Sequence, residues 1–292
     1  MFPLFHMAGF TLALAAWQTR GEIALVSPPS AEKLLDAVQA RRANRLYCIP
    51  AVWRRVLEVD LARWDLSSLQ EVDTGTSATP IELIRELKAR FPGTRTRIYY
   101  GSTEAGAAAM LDDAEVLRRP GSVGRAQAGV DLDLLPGGEI RVRSDYLMDG
   151  YFENPAATAE SLVDGWYHTG DLGAFDAQGF LSIVGRARDI IRSGGESIAP
   201  AEVEAAVATH PCVAECAVVG IPDASWGEIV CAAVVLRPGA SLSLADLQAH
   251  CAPHLARFKQ PRRLEPVDEL PRTAATRQVQ RTLLVERIQA RS

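Results

Sequence analysis

Cysteine is scarce and odd in number. Cys48, Cys212, Cys216, Cys231 and Cys251 are spread over 292 positions without metal-finger spacing, which argues against a disulfide framework and a structural zinc. Two local sets hold further ligand-type side chains, His210 with Cys212 and Cys216, and His250 with Cys251 and His254. Cys216 precedes the apolar run Ala217-Val218-Val219 and reads better as a small hydrophobe in a strand. Reduced thiols and a cytoplasmic setting fit this usage. Positive charge is not in excess either. The formal net charge of -5 argues against nucleic acid as a partner, because phosphate binding needs a concentrated basic face. The pairs Arg41-Arg42 and Arg262-Arg263 read as solvated positions. There is no internal repeat and no low-complexity stretch. A long unbroken apolar run is missing too: Met1 to Trp17 is strongly apolar, but His6, Gly9 and Thr11 interrupt it and no basic segment precedes it. It therefore fits neither a signal peptide nor a transmembrane segment. It reads as an interior segment of a domain that begins abruptly, the mark of a truncated or split product. The expected consequence is exposed apolar surface, with aggregation or dependence on a missing N-terminal polypeptide.

What is present is an ordinary globular composition, 48% hydrophobic and 23% charged, in a chain long enough for two domains. Thr79-Pro80-Ile81-Glu82 predicts a helix start, with Ile81, Ile84, Leu87 and Phe91 at helical spacing. Ser30 is expected to cap a helix bearing Leu34, Leu35 and Val38; Ser243 with Asp246 forms a further capping box before Leu247. Strands are expected at Glu139 to Arg143, Phe180 to Val184, Ala217 to Ile221 and Ile229 to Leu236, with a helix from Pro200 to Thr209. Segments are long and mixed before Arg186 to Asp189 and compact after it, which places a boundary between residues 1–186 and 187–292.

Three stretches carry chemistry: Tyr100-Gly101-Ser102-Thr103-Glu104, Tyr167-His168-Thr169-Gly170-Asp171, and Gly185-Arg186 running into Ser193-Gly194-Gly195-Glu196. In the first, a strand leads into a glycine turn where Thr103 can donate to a phosphate oxygen and Glu104 can hold a hard cation. A solvated turn is the plainer reading of that stretch alone. Asp171, expected at a glycine turn, can accept from two ribose hydroxyls, or serve as a turn residue. The Arg186 guanidinium suits phosphate or ribose oxygens, or a surface ion pair.

In order along the chain, these stretches resemble the motifs of the adenylate-forming superfamily, which includes acyl-CoA synthetases, luciferases and peptide-synthetase adenylation domains. Phe2 to Phe10 is similar to its "PLFHxxG" segment, Tyr100 to Glu104 to "YGxTE", Gly138-Glu139-Ile140 with Met148 to Tyr151 to "GE(I/L)…GY", Trp166 to Asp171 to "WxxTGD", and Gly185 to Glu204 to "GRxxDxIxxGGExIxPxEVE". Gly194-Gly195-Glu196 with Ile198, Pro200 and Glu202 resembles the acyl-CoA synthetase branch. The resemblance implies an α/β fold, the remainder of a large mixed α/β adenylation domain plus a small, mobile C-terminal α+β domain. It implies a ligase for a carboxylic acid using ATP, Mg2+ and coenzyme A; Phe10 and Leu12 hint at a fatty or similarly apolar acid, but read better as core positions. By motif position Thr103 contacts phosphate, Glu104 holds Mg2+, and Tyr100 beside Gly101 lies along adenine opposite Thr74-Gly75-Thr76. Asp171 binds ribose, and Arg186 and Arg192 meet the nucleotide. His6 lies beside the acyl pocket, Arg188 is the hinge, and Gly194 and Gly195 let the pantetheine arm approach.

Three departures stand out. The Gly- and Ser/Thr-rich phosphate loop that precedes "PLFH" in the superfamily has no counterpart after Met1. The terminal "PRTxTGKVxR" segment reads Pro271 to Arg281, with Gln278 at the usual lysine position and Arg277 at the glycine. Gln278 can donate a hydrogen bond but brings no charge, and the planar Arg277 guanidinium is no point-charge substitute. Gly75-Thr76-Ser77-Ala78 replaces "GGAP". The alternatives are therefore a split or non-catalytic fragment that binds AMP or a partner, or one that performs the thioester half-reaction alone.

Overall fold

The structure, a computed structural model, describes residue 2, residues 4–273 and residues 278–291. Pro3 and Arg277 lie outside the described residues. The chain divides into two compact units, the first Met1–Thr169 with Gly173–Ile183, the second Gly170–Leu172 with Val184–Ser292.

The first unit begins with α1 (Met7–Gln18), followed by α2 (Ala31–Arg41). A βαβαβ run then comprises β1 (Arg45–Tyr47), α3 (Pro50–Glu58), β2 (Glu71–Gly75), α4 (Ile81–Arg90) and β3 (Arg95–Ser102), with all three strands parallel. Helical crossovers are what parallel pairing requires. Alternation puts Val72 and Ile98 on the face where Leu35, Val38, Trp53, Ile84 and Leu87 pack. The chain then turns antiparallel through β4 (Gly106–Leu111), β5 (Ser122–Ala126), β6 (Val130–Leu134), β7 (Glu139–Ser144), α5 (Pro155–Ser161), β8 (Leu162–Val163), β9 (Trp166–Phe175) and β10 (Leu181–Arg186). The ten-stranded sheet runs β1-β2-β3-β4-β5-β10-β9-β7-β6, with β8 on β9. A separate core around Ile140, Val142, Tyr167 and Leu181 fills its antiparallel half.

Ser30 caps α2 by accepting the Lys33 N–H. Thr79 does not cap α4. Pro80 is extended and is itself the N-cap, so the Thr79 hydroxyl sits one residue too early and bonds Ser77 O at 3.4 Å instead. α1 departs further from expectation. It is apolar on every side, which marks a helix meant for an interior, yet Gly9 is its one buried residue. Phe10, expected in a core or acyl pocket, is 53% exposed, and Trp17 is 76% exposed, because no described residue covers them.

The second unit contains β11 (Ile191–Ser193), β12 (Glu196–Ile198), α6 (Pro200–Val207), β13 (Val213–Asp223), β14 (Gly227–Leu236), α7 (Leu244–Cys251), β15 (Arg263–Pro266) and α8 (Arg281–Gln289). Its sheet order is β12-β11-β14-β13, with β15 parallel to β14. The long β13–β14 hairpin buries both faces by period-two alternation. Val218, Val230, Ala232 and Val234 meet Val203, Val207, Leu247 and Cys251 from α6 and α7. Ala217, Val219, Ile221, Cys231 and Ala233 meet Leu284 and Ile288 from α8. Cys216 lies in β13 with its thiol pushed up to about 12 by burial. Ser243 caps α7 through the Asp246 N–H, and its hydroxyl donates to the Asp246 carboxylate at 2.6 Å. Among the described residues, no helix is long and apolar enough to cross a membrane.

Candidate active site

Within the first unit, the Tyr100 to Glu104 stretch is a hairpin joint. β3 continues through Gly101 and Ser102 and does not end at a glycine turn; Thr103, Glu104 and Ala105 make the connection to β4. Gly101 is required inside the ladder, since a Cβ there would lie 2.0 Å from Gly106 O. The turn is fixed by the Ala105 N–H donating to Ser102 Oγ at 3.2 Å. It leaves Thr103 exposed and Glu104 half-buried. Glu104 is tethered twice: Met148 N–H donates to its carbonyl at 2.8 Å, and Tyr151 O–H donates to its Oε1 at 2.9 Å. Tyr167, 5% exposed, lies close to Tyr151 and Ser102. Burial first, then the nearby carboxylate, raise the pKa of both tyrosines.

Beside β3, β2 places Gly75 opposite Tyr99, where a Cβ would lie 2.4 Å from Tyr99 O and 2.6 Å from Tyr47 Oη. Thr74 is fully buried with its Oγ1 lacking a hydrogen-bond partner among the described residues. It shares a sheet face with Val72, so its side chain is turned to the core and only its backbone can face a ligand. Thr76 holds φ +65°, a strained conformation for a β-branched residue, at the place where the superfamily often has glycine. Tyr100 packs against the Ile140 core. His6 caps α1, its Nδ1 accepting the Ala8 N–H at 3.2 Å, and its ring stacks on Phe2 at 5.4 Å. Burial lowers its pKa.

Sequence reasoning missed a charged ladder on the opposite face of β1 to β3. Asp73 is fully buried, 2.7 Å from Arg45 Nε and 3.0 Å from Arg97 Nη2. Glu71 completes it by pairing with Arg95 and Arg97. The signal was available as alternating Arg45/Tyr47, Glu71/Asp73 and Arg95/Arg97/Tyr99, but it becomes legible only when the three strands are known to be neighbours.

Within the second unit, Asp171 is 14% exposed, and Arg186 Nε lies 3.1 Å from its Oδ1. Asp171 sits inside β9 and not in a turn, although Gly170 before it has φ +68°. Arg188 is 78% exposed and only 3.8 Å from its neighbour Asp189. Arg192 donates through Nη1 to Ser197 Oγ and through its backbone N–H to Glu228 Oε2, both at 2.6 Å. Gly194 and Gly195, with φ +60° and +86°, form the two-residue turn of the β11–β12 hairpin, the geometry such hairpins prefer. A Cβ on Gly194 would lie 2.6 Å from the Trp226 ring, itself covered by the Arg262 guanidinium at 3.9 Å.

Gln278 is held by its backbone. Its N–H donates to Thr273 Oγ1 at 3.2 Å, and its carbonyl accepts the Thr273 N–H at 2.9 Å. Three residues on, Arg281 knits the unit together, donating to Glu204 Oε1 at 2.7 Å and Val218 O at 2.6 Å, with Asp189 at 3.3 Å. Burial opposes its charge, but Glu204 and Asp189 outweigh that and hold it ionised.

The cation donor set is sparse. Among the described residues no group of three or more His, Cys, Asp or Glu side chains is arranged to hold a metal. Glu104 alone, with Oε2 taking no hydrogen bond among the described residues, fits Mg2+, which commonly uses one carboxylate and completes its shell with water and substrate phosphate.

Comparison with known proteins places these features in company. The family model "AMP-binding enzyme" matches residues 1–152, and "AMP-binding enzyme C-terminal domain" matches residues 202–277. The chain is 36% identical, over 98% of its length, to the 3-[(3aS,4S,7aS)-7a-methyl-1,5-dioxo-octahydro-1H-inden-4-yl]propanoyl:CoA ligase of Rhodococcus jostii, covering 56% of it. It is 38% identical, over 93% of its length, to the indoleacetate–CoA ligase of Aromatoleum aromaticum, again covering 56%. The fold matches o-succinylbenzoate CoA synthetase from Bacillus subtilis, solved with its acyl-adenylate intermediate, with a TM-score of 0.88 at 29% identity over 97% of this chain and 59% of that one. The same enzyme has been solved with ATP and a magnesium ion, and that structure matches with a TM-score of 0.87. The chain thus spans little more than half the length of the curated relatives it matches.

Proposed function

The chain belongs to the AMP-binding enzyme family, and from that premise we propose that it carries the nucleotide-, metal- and thiol-facing part of a carboxylic-acid–CoA ligase. ATP and the acid give an acyl-adenylate and pyrophosphate; coenzyme A then displaces AMP to form the thioester. The observation that carries this reading is the Asp171–Arg186 pair. A mostly buried carboxylate beside a half-exposed guanidinium suits two ribose hydroxyls on one side and a phosphate oxygen on the other. Thr103 donates to the phosphate, and Tyr100 with the Gly75–Thr76 backbone borders the adenine. Arg192 meets the nucleotide. Glu104 holds Mg2+, which when bound neutralises charge building on the phosphate oxygens. His6 borders the acyl pocket, Gly194 and Gly195 give the pantetheine arm backbone to approach, and Arg188 is the hinge between functional domains 1–186 and 187–292. The acid has an apolar body. Fatty acids are the first candidates, and ring-bearing acids like those named for the relatives stand beside them. The setting is cytoplasmic.

Gln278 contributes no charge where the superfamily has lysine, so adenylation is the impaired step and thioester formation the better preserved one. The test is pyrophosphate release from ATP with a panel of fatty and ring-bearing acids, run beside AMP binding by calorimetry. AMP binding that Asp171→Ala abolishes supports the reading; equal binding by wild type and variant overturns it.

A specific observation favours a second reading, in which a separate N-terminal polypeptide completes the enzyme. The uncovered α1, with Phe5 83% and Trp17 76% exposed, is the face it would cover. Robust turnover by the chain alone would sink this reading. Thioester formation from a preformed acyl-adenylate, without turnover from ATP, would identify a half-reaction enzyme.

A further inference from the structure

The hydroxyl chain around Glu104 does more than hold it still. Tyr151 O–H donates to Oε1 at 2.9 Å, and Oε2 takes no hydrogen bond among the described residues. Tyr151 is itself anchored. Its N–H donates to Thr158 Oγ1 at 2.9 Å, and the Thr158 hydroxyl donates to Asn154 O at 2.9 Å. The Asn154 side chain caps α5 by accepting the Ala157 N–H. From the other side Met148 N–H fixes the Glu104 carbonyl. Tyr167, nearly buried, lies beside Tyr151 and Ser102. The Tyr151 phenol is thus held from its backbone side while its proton is committed to the carboxylate.

The consequence concerns which cation the carboxylate accepts. Ca2+ readily takes both oxygens of a carboxylate, whereas Mg2+ requires a compact octahedral shell and keeps several waters. A carboxylate oxygen already accepting from a phenol has one lone pair fewer for a cation, which biases coordination towards the other oxygen. We propose that Tyr151 is a specificity-determining residue of the Glu104 cation site, making Glu104 a one-oxygen ligand that favours Mg2+ over Ca2+. This rests on the reading of Glu104 as the metal carboxylate. It adds a role for the tyrosine of the Met148 to Tyr151 segment, and it joins two separate sequence stretches, Tyr100 to Glu104 and Met148 to Tyr151, at one atom.

The test uses the full chain and Mn2+ as the probe, with free Mn2+ followed by electron paramagnetic resonance while Mg2+ or Ca2+ displaces it. The wild type is expected to bind Mn2+ in a manner that Glu104→Gln removes, with Mg2+ the better competitor. Tyr151→Phe keeps the ring and loses the hydroxyl. It is expected to shift the Ca2+/Mg2+ competition ratio towards Ca2+ by about threefold or more, with an unchanged melting temperature. Tyr167→Phe, which removes the phenol hydroxyl beside Tyr151, gives a smaller shift in the same direction and serves if Tyr151→Phe proves unstable. An unchanged ratio in both folded variants, with Glu104→Gln still abolishing binding, overturns the specificity role and leaves the Glu104 reading standing. Absent Mn2+ binding, or equal binding by wild type and Glu104→Gln, overturns the Glu104 reading and the inference with it. A merely structural role for Tyr151 would lower stability and leave the ratio unmoved.

Discussion

In the second unit both faces of the sheet are covered, by α6 and α7 on one side and α8 on the other. In the first unit the parallel strands β1 to β3 have helices on one face and the Arg45–Asp73–Arg97 ladder on the other, and α1 lies outside every buried cluster. A parallel sheet is ordinarily buried on both faces, and an all-apolar helix is ordinarily interior. The difference teaches that the second unit packs helices on both faces of its sheet, while in the first unit an apolar helix and one face of the parallel strands lie outside the buried clusters of the described residues.

Dissection is the strongest way to break this comparison. Residues 187–292 expressed alone are expected to unfold in one cooperative calorimetric transition and to sediment as a single species, whereas residues 1–186 alone aggregate. A soluble, cooperative first unit would remove the contrast. Next, Trp53→Ala, which empties the centre of the helix-covered core and orphans the bond its indole N–H makes to Asp73 O, should destabilise the first unit by about 3–5 kcal/mol. In two-transition melts of the full chain only one transition should move. Arg281→Met leaves Glu204 without its cation in a site where both side chains are less than a quarter exposed. A loss of about 3 kcal/mol is expected, confined to the other transition. Thr76→Gly should act in the opposite sense, relieving the left-handed backbone and stabilising the first unit by roughly 1 kcal/mol.

The smallest effect is titration. Burial first, and then the neighbouring His250 charge, lower the His210 pKa, while Asp246 acts against them. The rings of His210 and His250 meet edge to face at 4.8 Å. Because the folded state binds this proton less well than the unfolded chain, its stabilising contribution is full above about pH 6.5, the unfolded value. It is lost progressively as the pH falls through and below that value. His210→Gln should flatten the acid limb of the second unit's stability profile, measured by denaturant melts between pH 7 and 5. His6 offers the counterpart in the first unit, since protonation of Nδ1 would remove the α1 cap.

Much of this was legible in the chain. Ser30 and Ser243 announced their helices because a capping hydroxyl acts within three residues. The alternation of Glu139 to Arg143 and of the β13–β14 hairpin announced strands because the pleat has period two. Thr79 misled, since whether Pro80 is the cap or the first helical residue depends on one ψ angle. Asp171 and Gly101 misled for a related reason. Glycine near a polar residue reads as a turn, but here each glycine lies inside a strand, permitting a close neighbour at Gly101 and a left-handed φ at Gly170.

The order and identity of the chemical groups were set by the sequence alone: a hydroxyl and carboxylate at Thr103-Glu104, a carboxylate at Asp171, a guanidinium at Arg186, and no lysine near Gln278. Local chemistry and helix or strand period are properties of neighbours along the chain, so they can be read there. Only the tertiary structure decided that Tyr151 and Tyr167 close on Glu104, that Arg281 binds Glu204 and Asp189, and that the Thr74 side chain turns to the core. Those contacts join residues separated by up to 92 positions, from Asp189 to Arg281. Which of many polar groups meet at such distances is fixed by sheet order and register, which no local pattern encodes.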